Sequence, residues 1–190
     1  LGVPSNLERE FDKHVYSFSF RDKIELGKHT ITAGLNSEFQ DNKISGWSFL
    51  VPAFRQFTAG AFLYDKYKLN DRFLLHGAIR FDHGQLKTFG YTDWFSSRIN
   101  IVGSTVNQHL IRADALRRNF QSWVWSLGMN YNLGSFSAKL NLGKSFRMPI
   151  AKELSANGVN YHYFSYEKGD PTLSPEQSYQ VDLSLGWEAG

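Results

Sequence analysis

The strongest constraint on this chain is a period of two, sustained over stretches that are long for an ordinary soluble sheet. From Phe136 the apolar residues are Phe136, Ala138, Leu140 and Leu142, and the polar ones are Ser135, Ser137, Lys139, Asn141, Ser145 and Arg147. The pattern returns at Tyr179, Val181, Leu183, Leu185 and Trp187, with Gln180, Asp182, Ser184 and Glu188 between them. Such alternation gives a strand one greasy and one wet face.

The same reading predicts five earlier strands. The first lies within Glu8 to Leu26, with Tyr16, Phe18, Phe20, Ile24 and Leu26 on one face and Asp22 as a misfit there. Gly27-Lys28-His29 turns it into a second strand carrying Ile31, Ala33, Leu35 and Phe39. A third runs from Phe57 to Leu69, where Ala59, Ala61 and Leu63 compete with Phe62 and Tyr64 for the apolar face. The fourth is Arg72 to His83 and the fifth Phe120 to Leu133, which Gly134-Ser135 joins to the strand from Phe136. Between these two, Val106, Leu110 and Ala113/Asp114 have helical spacing, so a short helix is expected within Ser104 to Arg118.

Short turns near residues 28, 70 and 134 therefore alternate with long connections at 40–56, 84–118 and 147–175. A membrane barrel separates short periplasmic turns from long outer loops in this way. Strands of about 11 to 14 residues exceed the usual ~5–6 of soluble sheets and can cross a bilayer at a tilt. Tyr131, Trp187, Trp123 and Phe146 near strand ends suit aromatic girdles.

Composition agrees. Aromatics make up 16% of residues, 16 of them Phe, yet mean hydropathy is negative and no run approaches the ~18 apolar residues of a membrane helix. The absence of cysteine excludes disulfides and thiolate metal sites. A net charge of +3, not gathered into one arm or helix, gives no reason to expect a nucleic-acid partner. Leu1-Gly2-Val3-Pro4-Ser5 shows neither an initiator Met nor a signal, as at an internal cut or a processed end. The fold expected is all-β: about seven strands of a large antiparallel transmembrane barrel.

The loop from Arg147 to Ser174 has its own punctuation. Pro149 suits a helix start and Asn157-Gly158 a left-handed stop, so one or two helical turns are expected over Ile150 to Ala156. Gly169, Pro171 and Pro175 shape the return, with Pro175 just ahead of a strand. If odd residues of the strand before the loop and even residues of the strand after it share the wet face, Arg147 meets Glu176 and Asn141 meets Asp182. An ion pair pinning the loop's base and two separately solvated charges are both open at this point.

Phe146-Arg147-x-Pro149-x-x-x-Glu153-Leu154, then Asn157-Gly158, then Glu167-x-Gly169-Asp170-Pro171-x-Leu173-x-Pro175-Glu176-x-Ser178 resembles the late-barrel loop of TonB-dependent outer-membrane receptors. Asp170 stands where many relatives carry Asn. The resemblance implies a barrel of about 22 strands, closed by an N-terminal plug that lies outside residues 1–190. It implies uptake of a scarce nutrient, such as a ferric siderophore, haem, cobalamin or a glycan, with energy relayed by TonB through the missing plug. It also places the protein in the outer membrane of a Gram-negative bacterium, among lipid and lipopolysaccharide. Haem-importing members carry a ligand His between two such boxes, which makes His162 a haem-ligand option.

Candidate ligand-binding residues come from aromatics on loops, namely Tyr91, Trp94, Tyr161, Tyr163 and Tyr166, together with Arg98 and His162. Residues 84–118 hold five Lys/Arg against two Asp, a surplus of three that would steer an anionic ligand. Loops packing on one another or touching lipopolysaccharide phosphates would explain the same residues. The six histidines have no zinc spacing and no GxSxG occurs, so neither a metal site, a resident cofactor nor a catalytic residue is expected. A small outer-membrane enzyme or porin and a soluble β-sandwich adhesin are the alternatives; the sandwich would bury the same Trp, Leu and Phe side chains between two sheets.

Overall fold

The computed structural model describes residues 4–48, 50–101, 103–160 and 163–188. In chain order the elements are β1 (Arg9–Leu26), β2 (His29–Gly46), β3 (Phe54–Lys68), β4 (Phe73–Thr88), β5 (Tyr91–Ile101), β6 (Ser104–Ala113), β7 (Leu116–Leu133), β8 (Phe136–Arg147), α1 (Ala151–Ser155), β9 (Asn157–Asn160), β10 (Ser165–Lys168) and β11 (Glu176–Trp187). Seven of them form one antiparallel sheet ordered β1-β2-β3-β4-β7-β8-β11. Two small hairpins, β5–β6 and β9–β10, stand apart from it.

The two-residue turns explain the tight end of the sheet. Gly27 and Gly134 take φ of 59° and 55°, while Lys28 and Ser135 after them keep negative φ. That is the pattern of a type II′ turn, whose twist matches the flanking strands. It sets Leu26 opposite His29 and Leu133 opposite Phe136.

Register then fixes the faces. The apolar face carries Leu35, Ala61, Phe81 and Trp123 in one cross-strand row, and Ile31, Leu63, Ile79, Leu127, Leu142 and Val181 around it. Ala59, Ala61 and Leu63 therefore belong to this face, and Phe62 and Tyr64 to the polar one. Phe62 turned inward because Gly34 opposite it leaves room for the ring: a Cβ there would lie 2.5 Å from the Phe62 ring. Asp22 sits in unbroken register with Ala33, without a bulge, close to the turn end of β1.

Trp123 and Leu127 are each 57% exposed and Trp187 74%. They do not meet in a dry interior, which removes the sandwich reading. Instead, aromatic rings gather in two belts on the apolar face. Phe73–Tyr131 (4.6 Å), Tyr131–Phe136 (6.4 Å) and Phe136–Trp187 (6.4 Å) form one belt at the short-turn end. Phe81–Trp123 (5.0 Å) marks the other. Phe73 and Phe81 are separated by ~26 Å of strand, which is ~20 Å of height at a ~40° tilt and close to the apolar band of an outer-membrane barrel.

The strands of the large sheet run beyond the sequence-predicted ends, to Gly46 in β2 and Thr88 in β4. Their added residues are polar or face the loops, so alternation could not reveal them. The helix expected within Ser104 to Arg118 is not formed. Ser104–Ala113 is β6, paired with β5 around Gly103 (φ 82°), and Val106 faces Ile99. A non-local partner overrode a weak helical spacing in a segment rich in Val, Ile and Thr. Part of the turn expected at 187–190 falls outside the described residues.

The buried cluster lies on the polar face, at the mouth opposite the short turns. Leu86 of β4, Phe120 of β7 and Ala151 and Leu154 of α1 form it, with Val51, Phe54, Leu116 and Met148 around them. Long side chains on this face lie flat over glycines. Met148 covers Gly84, and His76 hydrogen-bonds Asn141 (3.2 Å) across Gly128. A Cβ at either glycine would collide with the covering side chain.

Candidate functional site

The loop after β8 is built around Arg147. In register, Arg147 faces Glu176 and Asn141 faces Asp182, as the parity argument required. Its guanidinium donates to both oxygens of Glu176 (3.0 and 2.9 Å) and both oxygens of Glu153 (3.0 and 2.9 Å). Glu153 is the partner that sequence reading missed. Its Oε2 also accepts the Ile150 N–H (3.0 Å), which ties the start of α1 to the strand end. The Arg147 hydrogen bonds, followed by that of Ile150, hold the Glu153 carboxyl below its usual range.

Pro149 precedes Ile150, the residue that caps α1, and the helix is five residues long. Its expected left-handed stop at Asn157-Gly158 is absent. Ala156 is extended (φ −62°, ψ 138°) and the chain passes directly into β9. Gly158 is instead a strand residue opposite Glu167, with Leu50 3.5 Å from where its Cβ would be.

Gly169 is required by contact. A Cβ there would lie 2.6 to 2.8 Å from the backbone of Glu153, Leu154 and Ser155. Its N–H reaches Ala156 O (2.7 Å) and the Asp170 N–H reaches Glu153 O (2.8 Å). Asp170 closes an Asx turn on Thr172 N (2.8 Å) and Oγ1 (2.6 Å), and those bonds lower its pKa. Leu173 and Pro171 offer their carbonyls to Arg118 of β7, a contact with no signal in the sequence. Pro175 directly precedes β11. Lys152 pairs with Glu167 (2.6 Å), which also accepts from Asn160 (2.6 Å), so helix and β10 are joined.

A second cluster forms where the hairpins meet. Pairing of β5 with β6 is irregular between Tyr91 and Ser96, which frees Asp93, Trp94 and Phe95 from the ladder. Asp93, only 7% exposed, accepts from Arg112 Nε (2.6 Å), and its carbonyl receives His109 Nδ1 (2.9 Å). That hydrogen bond raises the Arg112 pKa, and Arg112 also reaches Tyr166 of β10. Tyr166 donates in turn to Asn157 Oδ1. Trp94 packs edge-on to Trp47 (5.9 Å) and Phe95 (5.3 Å), and the Tyr91 hydroxyl donates to Trp47 O (3.3 Å). Burial pushes the Tyr91 phenol pKa up, with Asp93 adding to it.

Tyr91, Trp94 and Tyr166 are thus brought to one base. Arg98 stands exposed farther out on β5, opposite Asn107. Tyr163 and Phe164 project from the tip between β9 and β10, 80% and 89% exposed, with Phe164 at φ 48°. Tyr161 and His162 lie outside the described residues. Sequence reading missed Trp47, Asp93 and Arg112; the last lay hidden in the segment assigned to a helix. Among the described residues no group of three or more His, Asp or Glu could hold a metal ion.

A family model described as TonB dependent receptor-like, beta-barrel matches residues 2–190. Two solved structures share the fold. A double mutant of the Serratia marcescens hemophore receptor HasR, in complex with its hemophore HasA and heme, gives a TM-score of 0.70 at 18% identity over 93% of this chain and 30% of that one. The copper transporter OprC gives 0.71 at 13% identity over 96% of this chain and 29% of that one. No curated protein sequence matches. The chain spans about three tenths of the length of these two proteins. With a matched model over nearly all of its residues, one apolar and one polar face, and short turns opposite long loops, the chain belongs to the TonB-dependent receptor family as a segment of its β-barrel.

Proposed function

We propose that this segment belongs to an outer-membrane receptor that takes up a scarce nutrient, a ferric siderophore, haem, cobalamin or a glycan, with energy relayed by TonB. The remaining strands and a plug are supplied by the rest of a longer protein. The observation that carries the reading is the convergence of Trp47, Tyr91, Trp94, Arg112 and Tyr166 at the loop mouth, above a polar wall. Aromatic faces and a cationic surplus at that place suit an anionic chelate entering from outside. Arg98, Tyr161, His162 and Tyr163 extend the same surface outward. The segment binds and passes its cargo, and catalyses no reaction.

The test is fluorescence titration of the full-length receptor with a panel of ferric siderophores, haem, cobalamin and oligosaccharides. One cargo is expected to quench Trp47 and Trp94, and Trp94→Ala and Arg98→Gln each to weaken it about tenfold. Undiminished affinity in both variants would remove this surface from the ligand site.

A further inference from the structure

The apolar face ends, at the loop side, in a row of cations set directly opposite one another. Register places Asp41 beside Arg55, Arg55 beside Lys87, and Lys87 beside Arg117 across four adjacent strands. Asp41 pairs with Arg55 (3.0 Å). Three cations against this one carboxylate leave two positive charges, and both cross-strand neighbours of Lys87 are arginines. Like charges directly opposite on one face of a sheet repel, so the row needs an anion from outside. Phe89 sits between Arg55 (5.5 Å) and Lys87 (5.2 Å), which holds both heads against an aromatic surface instead of letting them splay into water.

Depth identifies the anion. Below the cations on β3, β4 and β7 come Phe57, Gln85 and Asn119, with Gln85 hydrogen-bonded to Asn119 (3.0 Å). Next are Ala59, His83 and Gln121, and then the Ala61, Phe81 and Trp123 row of the aromatic belt. Polarity rises step by step along one face. Lys87 lies six residues past Phe81, ~20 Å along the strand and ~15 Å in height at a barrel's ~40° tilt. That is headgroup depth, beyond the hydrocarbon and still against the bilayer.

We propose that Arg55, Lys87 and Arg117 form a binding site for the phosphate groups of an outer-leaflet lipid, lipopolysaccharide being the phosphate-bearing lipid of that surface. Guanidinium forks and an ammonium suit phosphate oxygens, and the small residues below leave space for an acyl chain beside Phe18, Leu35 and Phe81. The site rests on the outer-membrane reading above, although it faces away from the pore and from the cargo residues.

The experiment uses the full-length receptor reconstituted into phosphatidylcholine vesicles doped with lipopolysaccharide or with enzymatically dephosphorylated lipopolysaccharide. Retained lipid is counted by native mass spectrometry. The triple variant Arg55→Gln, Lys87→Gln, Arg117→Gln is compared with Lys66→Gln and Lys139→Gln on the polar face. At roughly fivefold per cation, the triple variant is expected to lose retention about a hundredfold, and the dephosphorylated lipid to bind the wild type as poorly. The polar-face variants should match wild type. Equal retention by the triple variant, or equal binding of dephosphorylated lipid, overturns the site while leaving the membrane assignment standing. Saturable competition by inorganic phosphate at equal affinity would overturn the lipid as the source. Failure of the wild type to insert into vesicles sinks both readings.

Discussion

Replacing Leu154 with Ala tests what holds the loop over the mouth. Leu154 is 2% exposed and packs with Leu86, Phe120 and Ala151, so two of its partners belong to the barrel wall and one to its own helix. Removing a buried leucine's distal carbons from a close-packed site costs about 3 kcal/mol, in the middle of the usual range. The seven-stranded ladder contains no bond to Leu154 and should keep its stability. The cost therefore falls on docking alone, and about 3 kcal/mol raises the released population about a hundredfold. Hydrogen exchange in the full-length receptor reads this directly. The amides of Leu154, Ala156, Gly169 and Asp170, bonded to Ile150, Lys152, Ala156 and Glu153, report docking, and the β4–β7 ladder is the control. Exchange about a hundred times faster in the first set and unchanged in the second is expected. Arg147→Gln should accelerate it far less, because an ion pair open to water contributes little. The reverse ranking, with Arg147→Gln releasing the loop and Leu154→Ala sparing it, would refute the argument.

Acid should loosen the same loop. Glu153, Glu167 and Asp170 are held below their ordinary values of 4.5, 4.5 and 3.8, chiefly by hydrogen bonds from Arg147, Lys152 and Thr172 respectively. Depressed carboxyl pKa values mean that the docked loop binds fewer protons than the released one, so their contribution is complete at neutral pH and is lost as pH falls through the folded values. A spin label at Ser174→Cys should stay immobile from pH 7 to about 5 and gain mobility below about 4.5; mobility that rises on the alkaline side instead would contradict the sign. Gly84→Ala should displace Met148 and loosen the mouth by about 1–3 kcal/mol. Adding Met148→Ala should recover part of that loss in a double-mutant cycle, whereas strict additivity would show that the two do not touch.

Legibility followed the range of the interaction. The seven long strands, their turns and the Arg147–Glu176 pairing were readable because alternation and turn residues act over a few positions, and the parity of one strand fixes its neighbour. The ambiguity in β3 needed Gly34 across the sheet to settle it, and β6 needed β5. Glu153 as a second carboxylate on Arg147, Arg118 on the Pro171 and Leu173 carbonyls, and Arg112 joining Asp93 to Tyr166 are contacts between distant segments that no local pattern encodes. Gly158 shows the opposite error: an Asn-Gly pair has a strong local meaning, and strand pairing with Glu167 overrode it.

The reclining side chains above Gly84 and Gly128 have a mechanical corollary. Because the thioether and the imidazole–amide pair lie parallel to the backbone, this stretch of wall presents low relief, with few projections on which a moving body could catch. Bulkier residues at those two glycines would roughen the bore, even where the surrounding ladder stayed intact.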